Sequence, residues 1–266
     1  MKIRIGILLT FVLLLSLCAG TSACENLGIA GPHPSYTLPP YTLQPKQEPT
    51  LLSCETTDVD GVEVELSLYH DNGVLVRTAS VVDEDQKANL DFAQLDIAIA
   101  EQNALDYKEL QNTQYKVLAS TLPFYSDFSN SGTSPQNPDC YVGHSGKWYS
   151  GRVGGRFAAE LDSLYVGAVF NGSGNADKII LNQEVSRSSS SLSFSIPAGM
   201  GWSAGSNSAI WRSSEYENMS LVGAYPGGTF YTAGIIEAGF TVSSSSQLQK
   251  NGLEYTSWTS SSYYNH

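Results

Sequence analysis

The segment Gly143-His144-Ser145-Gly146-Lys147 is the part of the chain that comes nearest to a nucleophile motif. A nucleophile elbow requires G-x-S-x-G in a turn between a strand and a helix. Lys147 stands where the last glycine belongs, and no helical pattern follows. A serine–histidine–aspartate site would also have to recruit His70 or His144 from distant regions. We therefore predict no catalytic residues and no enzyme activity, and a secreted hydrolase is the least favoured function.

A second candidate for chemistry is the acidic segment Asp58-Val59-Asp60-Gly61. The calcium loop of an EF-hand has a third ligand just before its glycine, whereas here Asp60 adjoins the glycine as only the second acidic residue. An acidic turn before a hairpin is the favoured interpretation, with a calcium site as the alternative. The sequence contains no CxxC, HExxH, GxGxxG or GxxxxGK[ST] motif. We predict neither a metal site nor a cofactor.

Two carboxylate pairs have the i, i+2 spacing that places both members on one face of a strand: Glu160 with Asp162, and Glu215 with Glu217. Glycosidases use two carboxylates about 5–10 Å apart. Chance accounts for such pairs in a chain with 26 acidic residues.

The aromatic residues suggest another activity, which is stacking on sugars. The candidates are four tryptophans and the tyrosine pair near the C-terminus: Trp148, Trp202, Trp211, Trp258, Tyr263 and Tyr264. A β-sandwich core also consumes aromatic residues, and that interpretation is favoured for this set.

Residues 1–23 have the pattern of a secretory signal peptide. Lys2 and Arg4 precede an apolar run over 5–17, and small residues follow up to Ala23. The run is shorter than the roughly 20 residues that a membrane-spanning helix requires. We expect the mature chain to be extracellular or in the cell envelope, exposed at the cell surface, without a transmembrane span.

The cysteines give two linked predictions. Cys24 directly follows the signal and resembles the modified cysteine of prokaryotic lipoproteins, although Thr21 stands where that pattern prefers Leu, Val or Ile. Cys24 is therefore a candidate lipid anchor. If it carries lipid, Cys54 and Cys140 remain as a candidate disulfide pair in an oxidising compartment. Otherwise one thiol stays free or bonds another molecule.

Two sequons, Asn171-Gly172-Ser173 and Asn218-Met219-Ser220, are candidate N-glycosylation sites. Both adjoin a predicted strand, so both asparagines are expected to be exposed.

Composition divides the chain into four regions. Residues 55–109 contain 14 acidic and three basic residues, whereas the chain from 120 onward has ten and seven. This asymmetry indicates regions with different roles. The predicted organisation is a signal peptide (1–23), a Pro-rich spacer (24–53), an acidic hairpin–helix region (54–119) and a Ser/Gly-rich all-β region (120–266).

The acidic region begins with a predicted hairpin. Apolar and polar residues alternate over 62–69, Asp71-Asn72-Gly73 supplies the turn, and 74–82 forms the return strand.

A long amphipathic helix is predicted over roughly 84–111, with Asp83 and Gln86 as a capping-box-like start. Its main apolar stripe has helical spacing and comprises Leu90, Ala93, Ile97, Ala100, Ala104 and Tyr107. A second line (Phe92, Leu95 and Ile99) widens this stripe. Packing on the sheet of its own domain is favoured over contact with another molecule, so Ile97 is expected to be buried.

From residue 120 onward, short apolar runs alternate with clusters of Ser, Gly, Asn and Pro. The predicted strands are 163–170, 178–185, 191–196, 209–212, 220–225, 229–231, 235–242 and 254–259. This spacing is typical of an antiparallel sandwich or barrel. The serine runs 188–191 and 243–246 are expected in loops or at solvent-facing strand ends. The predicted fold class is thus mainly β (α+β), with an N-terminal hairpin and one long helix.

The overall balance is acidic, with 14 basic residues, 26 acidic residues and a net charge of −12, which disfavours nucleic-acid binding. This composition, with its many small hydroxyl residues, resembles that of prokaryotic surface-layer and sheath proteins. The leading hypothesis is a structural envelope protein that self-assembles through strand edges, with 220–225 and 235–242 as the expected edges. The partner is then a second copy of the chain. The alternative is a surface-exposed glycan-binding module or adhesin.

Overall fold

The computed structural model describes residues 48–114, 122–187, 201–205, 207–227 and 229–265, which belong to one compact unit, 45–266. The predicted signal peptide, most of the Pro-rich spacer and the candidate anchor Cys24 lie outside the described residues. The same holds for the predicted strand 191–196 and the serine run 188–191.

Strands dominate the described chain, as the sequence predicts. The strands are β1 (Thr50–Val59), β2 (Val62–Asp71), β3 (Val74–Val81), β4 (Phe124–Thr133), β5 (Cys140–Val153), β6 (Arg156–Phe170), β7 (Ala176–Arg187), β8 (Ser203–Ala204), β9 (Ser208–Arg212), β10 (Tyr216–Met219), β11 (Leu221–Tyr225), β12 (Phe230–Gly234), β13 (Ala238–Lys250) and β14 (Leu253–Asn265). Between β3 and β4 lie a 3₁₀ segment (Glu84–Asn89) and the helix α1 (Phe92–Gln114).

The strands form two antiparallel sheets. Sheet A has the order β1-β2-β3-β11-β6-β5-β4, with β12 also paired to β6, and sheet B has the order β14-β13-β7-β9-β8, with β10 also paired to β7. The predicted mainly-β class is confirmed, and neither sheet closes into a barrel in the described part of the chain. Because β3 pairs with β11, the acidic hairpin and the Ser/Gly-rich region share sheet A.

The predicted hairpin is present as β2 and β3. Asn72 and Gly73 have φ values of 52° and 83°, the left-handed conformation that a two-residue type I′ turn requires. The turn fixes the register, with Asp71 opposite Val74 and His70 opposite Leu75.

Sheets A and B pack face to face around a shared apolar core. At one end Val76 and Val166 of sheet A meet Ile179 and Trp211 of sheet B. At the other end the core includes residues of β4, β5 and β6 with Phe240 of β13. The opposite face of sheet A carries α1 and forms a second core. The part of sheet A beneath α1 is therefore covered on both faces.

The predicted helix face is wrong. Ile97 is 52 % exposed, and Ala93 is exposed too, whereas the second line, Phe92, Leu95 and Ile99, is buried. The cause is the true helix start: Leu90 has extended backbone and closes the 3₁₀ segment, so it does not belong to the helical count.

The true N-cap of α1 is Asp91, whose carboxylate accepts hydrogen bonds from the backbone N–H groups of Ala93 (3.0 Å) and Gln94 (3.2 Å). The predicted cap, Asp83, instead begins the 3₁₀ segment and accepts from Gln86 Nε2 at 2.9 Å.

Candidate functional site

The edges of sheet A are the first candidate for function. Its two terminal strands, β1 and β4, are each ten residues long and mostly exposed. Neither contains lysine or proline, the residues with which natural proteins commonly protect an edge strand. Within the described residues no strand pairs with the outer edge of either one.

The turn between β1 and β2 determines which backbone groups reach the free edge. Asp60 and Gly61 form a two-residue turn with positive φ, and Val59 lies opposite Val62. Such a turn closes on a hydrogen-bonded pair, and hydrogen-bonded pairs alternate along an antiparallel ladder. The N–H and C=O groups of alternate residues, including Thr56, therefore point away from β2.

The two strands that the sequence analysis expected at the edge are interior. β11, which covers the predicted 220–225, lies between β3 and β6 and is fully buried. β13, which begins within the predicted 235–242, lies between β14 and β7. The prediction failed because small and apolar residues in these segments reflect burial on both faces, not an unpaired edge.

The candidate disulfide between Cys54 and Cys140 is not formed. Cys54 is exposed on β1, Cys140 is buried on β5, and both are free thiols. Five strand-to-strand steps separate β1 from β5 in sheet A, or about 24 Å at roughly 4.8 Å per step. A disulfide requires Cα atoms within about 7 Å, so a bond within one chain is excluded by the fold.

The other sequence candidates occupy turns and strand ends. Asn171 and Asn218 are exposed, as expected for glycosylation sites. Asp58 caps the β1–β2 turn by accepting from Gly61 N at 3.0 Å. The described residues contain no cluster of three or more His, Cys, Asp or Glu side chains able to hold a metal ion.

The two carboxylate pairs named in the sequence analysis lie in different parts of the structure. Glu215 lies 3.5 Å from Lys178 in an ion pair on sheet B. Glu160 and Asp162 lie on β6, on the face of sheet A that points away from sheet B, because Ala159 and Leu161, which alternate with them, face the inter-sheet core.

His144 is buried between the sheets. Its Nδ1 lies 3.0 Å from Ser244 Oγ and its Nε2 lies 2.9 Å from Ser261 Oγ, so it joins β5 to β13 and β14. Burial lowers the pKa of His144 to about 4, and the neutral ring can donate to one hydroxyl and accept from the other. With 2 % of its surface exposed, this histidine links the two sheets and does not face solvent.

Ser244 belongs to the serine run 243–246, which the sequence analysis placed in a loop or at a solvent-facing strand end. The run instead lies within β13, and Ser244, Ser245 and Ser246 are buried. Ser244 and Ser246 lie on the same face of β13 as the core residues Val242 and Leu248, so their hydroxyls make the inter-sheet layer partly polar.

Most of the candidate sugar-stacking residues are in the core. Trp148 and Trp211 are buried, and Trp202 packs edge-on against Phe230. Trp258 and Tyr264 are about half exposed, at 46 % and 49 %, and both lie on β14. The four tryptophans therefore do not form a common surface.

A row of outward tyrosines was missed. Tyr125 of β4 lies opposite Tyr149 of β5. Glu160 of β6 lies opposite Tyr149 on one side and opposite Tyr231 of β12 on the other. The rings of Tyr125 and Tyr149 are 6.0 Å apart. Burial is the main cause that raises the pKa of Tyr149, and the nearby carboxylates of Asp162, Glu160 and Asp127 raise it further. We call Tyr125, Tyr149 and Tyr231 the tyrosine row.

Three glycines in register form a groove on the α1 face of sheet A. Gly143 lies opposite Gly167, and Gly167 lies opposite Gly223, on β5, β6 and β11. An added Cβ at Gly167 would overlap the Asp96 carboxyl, and at Gly223 it would overlap the Tyr165 hydroxyl. Because glycine has no Cβ, these three positions leave room for α1 and its polar contacts.

Asp96 is the buried carboxyl of this groove. It is 8 % exposed, and its Oδ1 accepts a hydrogen bond from Tyr165 Oη at 2.5 Å. Burial raises the pKa of Asp96 to about 6, although the Tyr165 hydrogen bond opposes the shift. Beside this pair a cleft of about 350 Å³ opens between α1 and β4, β5 and β6.

The sequence carried a signal for this site. Each of the three strands contains Val-Gly at the groove, as Val142-Gly143, Val166-Gly167 and Val222-Gly223. Valine faces sheet B and glycine faces α1, so the same dipeptide marks three neighbouring strands.

None of the helical segments in the described part of the chain has the length and apolar character needed to cross a bilayer.

Comparison with known proteins leaves the family open. No protein-family model matches the chain, and no curated protein matches it. A solved structure described as "Pore forming protein" is similar over 53 % of this chain and 89 % of its own, with 10 % identity and a TM-score of 0.23. A TM-score of this size carries no argument about fold or function.

Proposed function

We propose that this chain is an exported structural protein of the cell envelope that self-associates through the edges of sheet A into a surface layer or sheath. The observation that supports the proposal is the pair of terminal strands, β1 and β4, at opposite ends of one sheet, whose outer edges pair with no described strand. On β4 one backbone group, Ser131 N–H, is already bonded by the Asn130 side chain, which also donates to Ser260 O of β14 at 2.8 Å. The signal-like residues 1–23 support export, and a lipid on Cys24 would hold the assembly at a membrane. Exposed Asn171 and Asn218 are accessible for glycosylation.

Two different edges on one sheet favour an open array. When β1 of one copy pairs with β4 of the next, the complex still has a free β4 at one end and a free β1 at the other. Such a head-to-tail contact repeats without closing unless its rotation forms a ring. A contact between two β1 strands about a twofold axis would instead stop at a dimer.

The backbone of these edges can supply enough free energy. Each inter-strand hydrogen bond contributes about 0.5–1.5 kcal/mol net, and a ten-residue strand pair forms about ten of them. Association costs about 4–15 kcal/mol in lost freedom. Exposed Leu51 and Leu52 of β1 and Phe124 of β4 add apolar surface that pairing can bury.

Two matched proline variants test the proposal. Thr56→Pro removes an N–H that points to the free edge of β1 and leaves the β1–β2 ladder intact. The control, Thr256→Pro, removes an outward N–H from β14, the edge of sheet B, where Lys250 opposite Leu253 closes the equivalent two-residue turn. Both threonines are exposed.

Sedimentation velocity of the mature chain, residues 24–266, gives the result. We expect large particles for the unmodified chain and for Thr256→Pro, in moderate salt as well, and small species for Thr56→Pro. A monomeric unmodified chain, or equal dissociation by both variants, would contradict assembly through sheet A.

The second candidate function is glycan binding, and the tyrosine row favours it. Aromatic rings on a rigid sheet present flat apolar surfaces, and the neighbouring carboxylates can accept hydrogen bonds from sugar hydroxyls. Sedimentation with insoluble cellulose, chitin or peptidoglycan tests it. Tyr149→Ala and Tyr231→Ala should reduce retention, whereas Tyr264→Ala, on the other sheet, should not.

A further inference from the structure

The cleft beside Asp96 has features of a binding site that are independent of the sheet edges. Its volume, about 350 Å³, lies within the range of small-molecule sites. The lining residues belong to α1 and to three strands of sheet A, so the site is built on regular elements. The residues around it are Asp96, Ile97, Ala100, Ser129, Asn130, Ser131, Tyr141, Gly143, His144, Ser145 and Tyr165.

The described residues that line the cleft include one acidic side chain, Asp96, and no lysine or arginine. The titratable groups on this face are Asp96 from α1, Tyr141 from β5 and Tyr165 from β6, and the β4 residues there are neutral. His144 adjoins the cleft, but its ring lies on the other face of sheet A, against Ser244 and Ser261 of sheet B. His144 is uncharged above about pH 4 because burial lowers its pKa. Asp96 is thus a nearly buried carboxyl without a cationic neighbour.

We propose that this cleft binds a small organic ammonium ion, with Asp96 as its counter-charge. An ammonium group provides the positive charge that the lining lacks, and several hydrogen-bond donors. The rings of Tyr141 and Tyr165 supply aromatic surface, which attracts organic cations. The hydroxyls of Ser129 and Ser131 on β4 supply further acceptors at the rim.

The affinity for an ammonium ion should fall as the pH is lowered. The ionised carboxylate is the form that binds a cation, and burial raises the pKa of Asp96 in the empty site to about 6. Lowering the pH from 7 to 5 therefore reduces the ionised fraction, and the affinity, about tenfold. Binding below pH 6 must also displace the proton from Asp96.

Calorimetry of the mature chain with benzylammonium, and with benzyl alcohol as a neutral ligand of nearly the same shape, tests the site. We expect benzylammonium to bind at pH 7, at least tenfold more tightly than benzyl alcohol, and to lose about tenfold in affinity at pH 5. Asp96→Asn should remove the preference for the cation.

Three results would overturn the proposal: no benzylammonium binding at pH 7, equal binding of the two ligands, or affinity unchanged between pH 7 and 5. If Asp96→Asn fails to fold, the two ligands and the pH series with the unmodified chain still decide the question. Tyr264→Ala, on sheet B, serves as a folded control and should bind like the unmodified chain.

Discussion

The Asp96 carboxyl and the Tyr165 hydroxyl lie 2.5 Å apart, and their hydrogen bond joins α1 to the centre of sheet A. On the other face of the same sheet, the His144 ring joins sheet A to sheet B through two serine hydroxyls. Burial raises the pKa of Asp96 to about 6 and lowers that of His144 to about 4. The two groups therefore act on stability in opposite directions.

Between about pH 4 and 6.5 these contributions oppose each other. Unfolding lets His144 take up a proton, so its contribution to the free energy of unfolding falls as the pH drops through this range. Asp96 binds its proton more tightly when folded, so its contribution is present at low pH and is lost as the pH rises to 6. Across its whole titration range, each group changes the free energy of unfolding by about 3 kcal/mol.

We therefore expect the unmodified protein to show little pH dependence over this interval from these two groups. The His144→Gln variant should become less stable as the pH rises, and Asp96→Asn should become less stable as it falls. Urea unfolding at half-unit pH steps measures both slopes. Parallel pH curves for the two variants would contradict the assigned pKa directions.

The two isoleucines of α1 make a matched test of the helix face. Ile99→Ala should cost about 2–5 kcal/mol because the side chain is 4 % exposed in the core between α1 and sheet A. Ile97→Ala should cost less than about 1 kcal/mol because Ile97 is half exposed. Thermal unfolding of the two variants measures the difference, and equal losses would mean that α1 is rotated relative to the described face.

The glycine groove predicts a compensating pair. Gly167→Ala places a methyl group against the Asp96 carboxyl and should cost about 1–3 kcal/mol through overpacking. In the double variant with Asp96→Ala the closest clash disappears and only the Tyr165 hydroxyl remains near the new methyl group, so the combined loss should fall short of the sum by about 1 kcal/mol or more. A double-mutant cycle by denaturant unfolding measures this coupling. Strict additivity would show that the two residues do not touch.

The two cysteines should react at very different rates. Cys54 is exposed on β1, while Cys140 is fully buried, and burial together with Asp139 raises the pKa of Cys140 to about 11. A maleimide added to the folded chain 24–266 with Cys24→Ser should modify one thiol quickly and the second only after denaturation. Peptide mass analysis identifies the sites. Rapid labelling of Cys140 would contradict its place in the core.

Local signals predicted part of this fold well. The β2–β3 hairpin followed from alternation and from Asn72-Gly73, because few residues adopt its turn conformation. β1 was missed because a strand exposed on both faces has no alternation to detect. The helix face was misjudged because Leu90 fits the helical spacing but precedes the true start at Phe92.

The candidate sites depend on long-range pairing, which the sequence alone does not give. Nothing local shows that β3 pairs with β11, and that pairing puts β11 in the interior and leaves β1 and β4 at the ends. The glycine groove could be predicted only in part from the sequence. Its three Val-Gly dipeptides are visible in the sequence, but only strand order shows that Gly143, Gly167 and Gly223 lie side by side.

The central claim is that β1 of one molecule pairs with β4 of the next. Cys54 is a native reporter on β1, and exposed Ser126 and Ser129 provide cysteine positions on β4. In the mature chain with Cys24→Ser, a short bismaleimide should link Cys54 to Ser126→Cys or Ser129→Cys and give a ladder extending beyond the dimer. A cross-linked dimer already complete with Cys54 alone, or no cross-link at either β4 position, would contradict the claim.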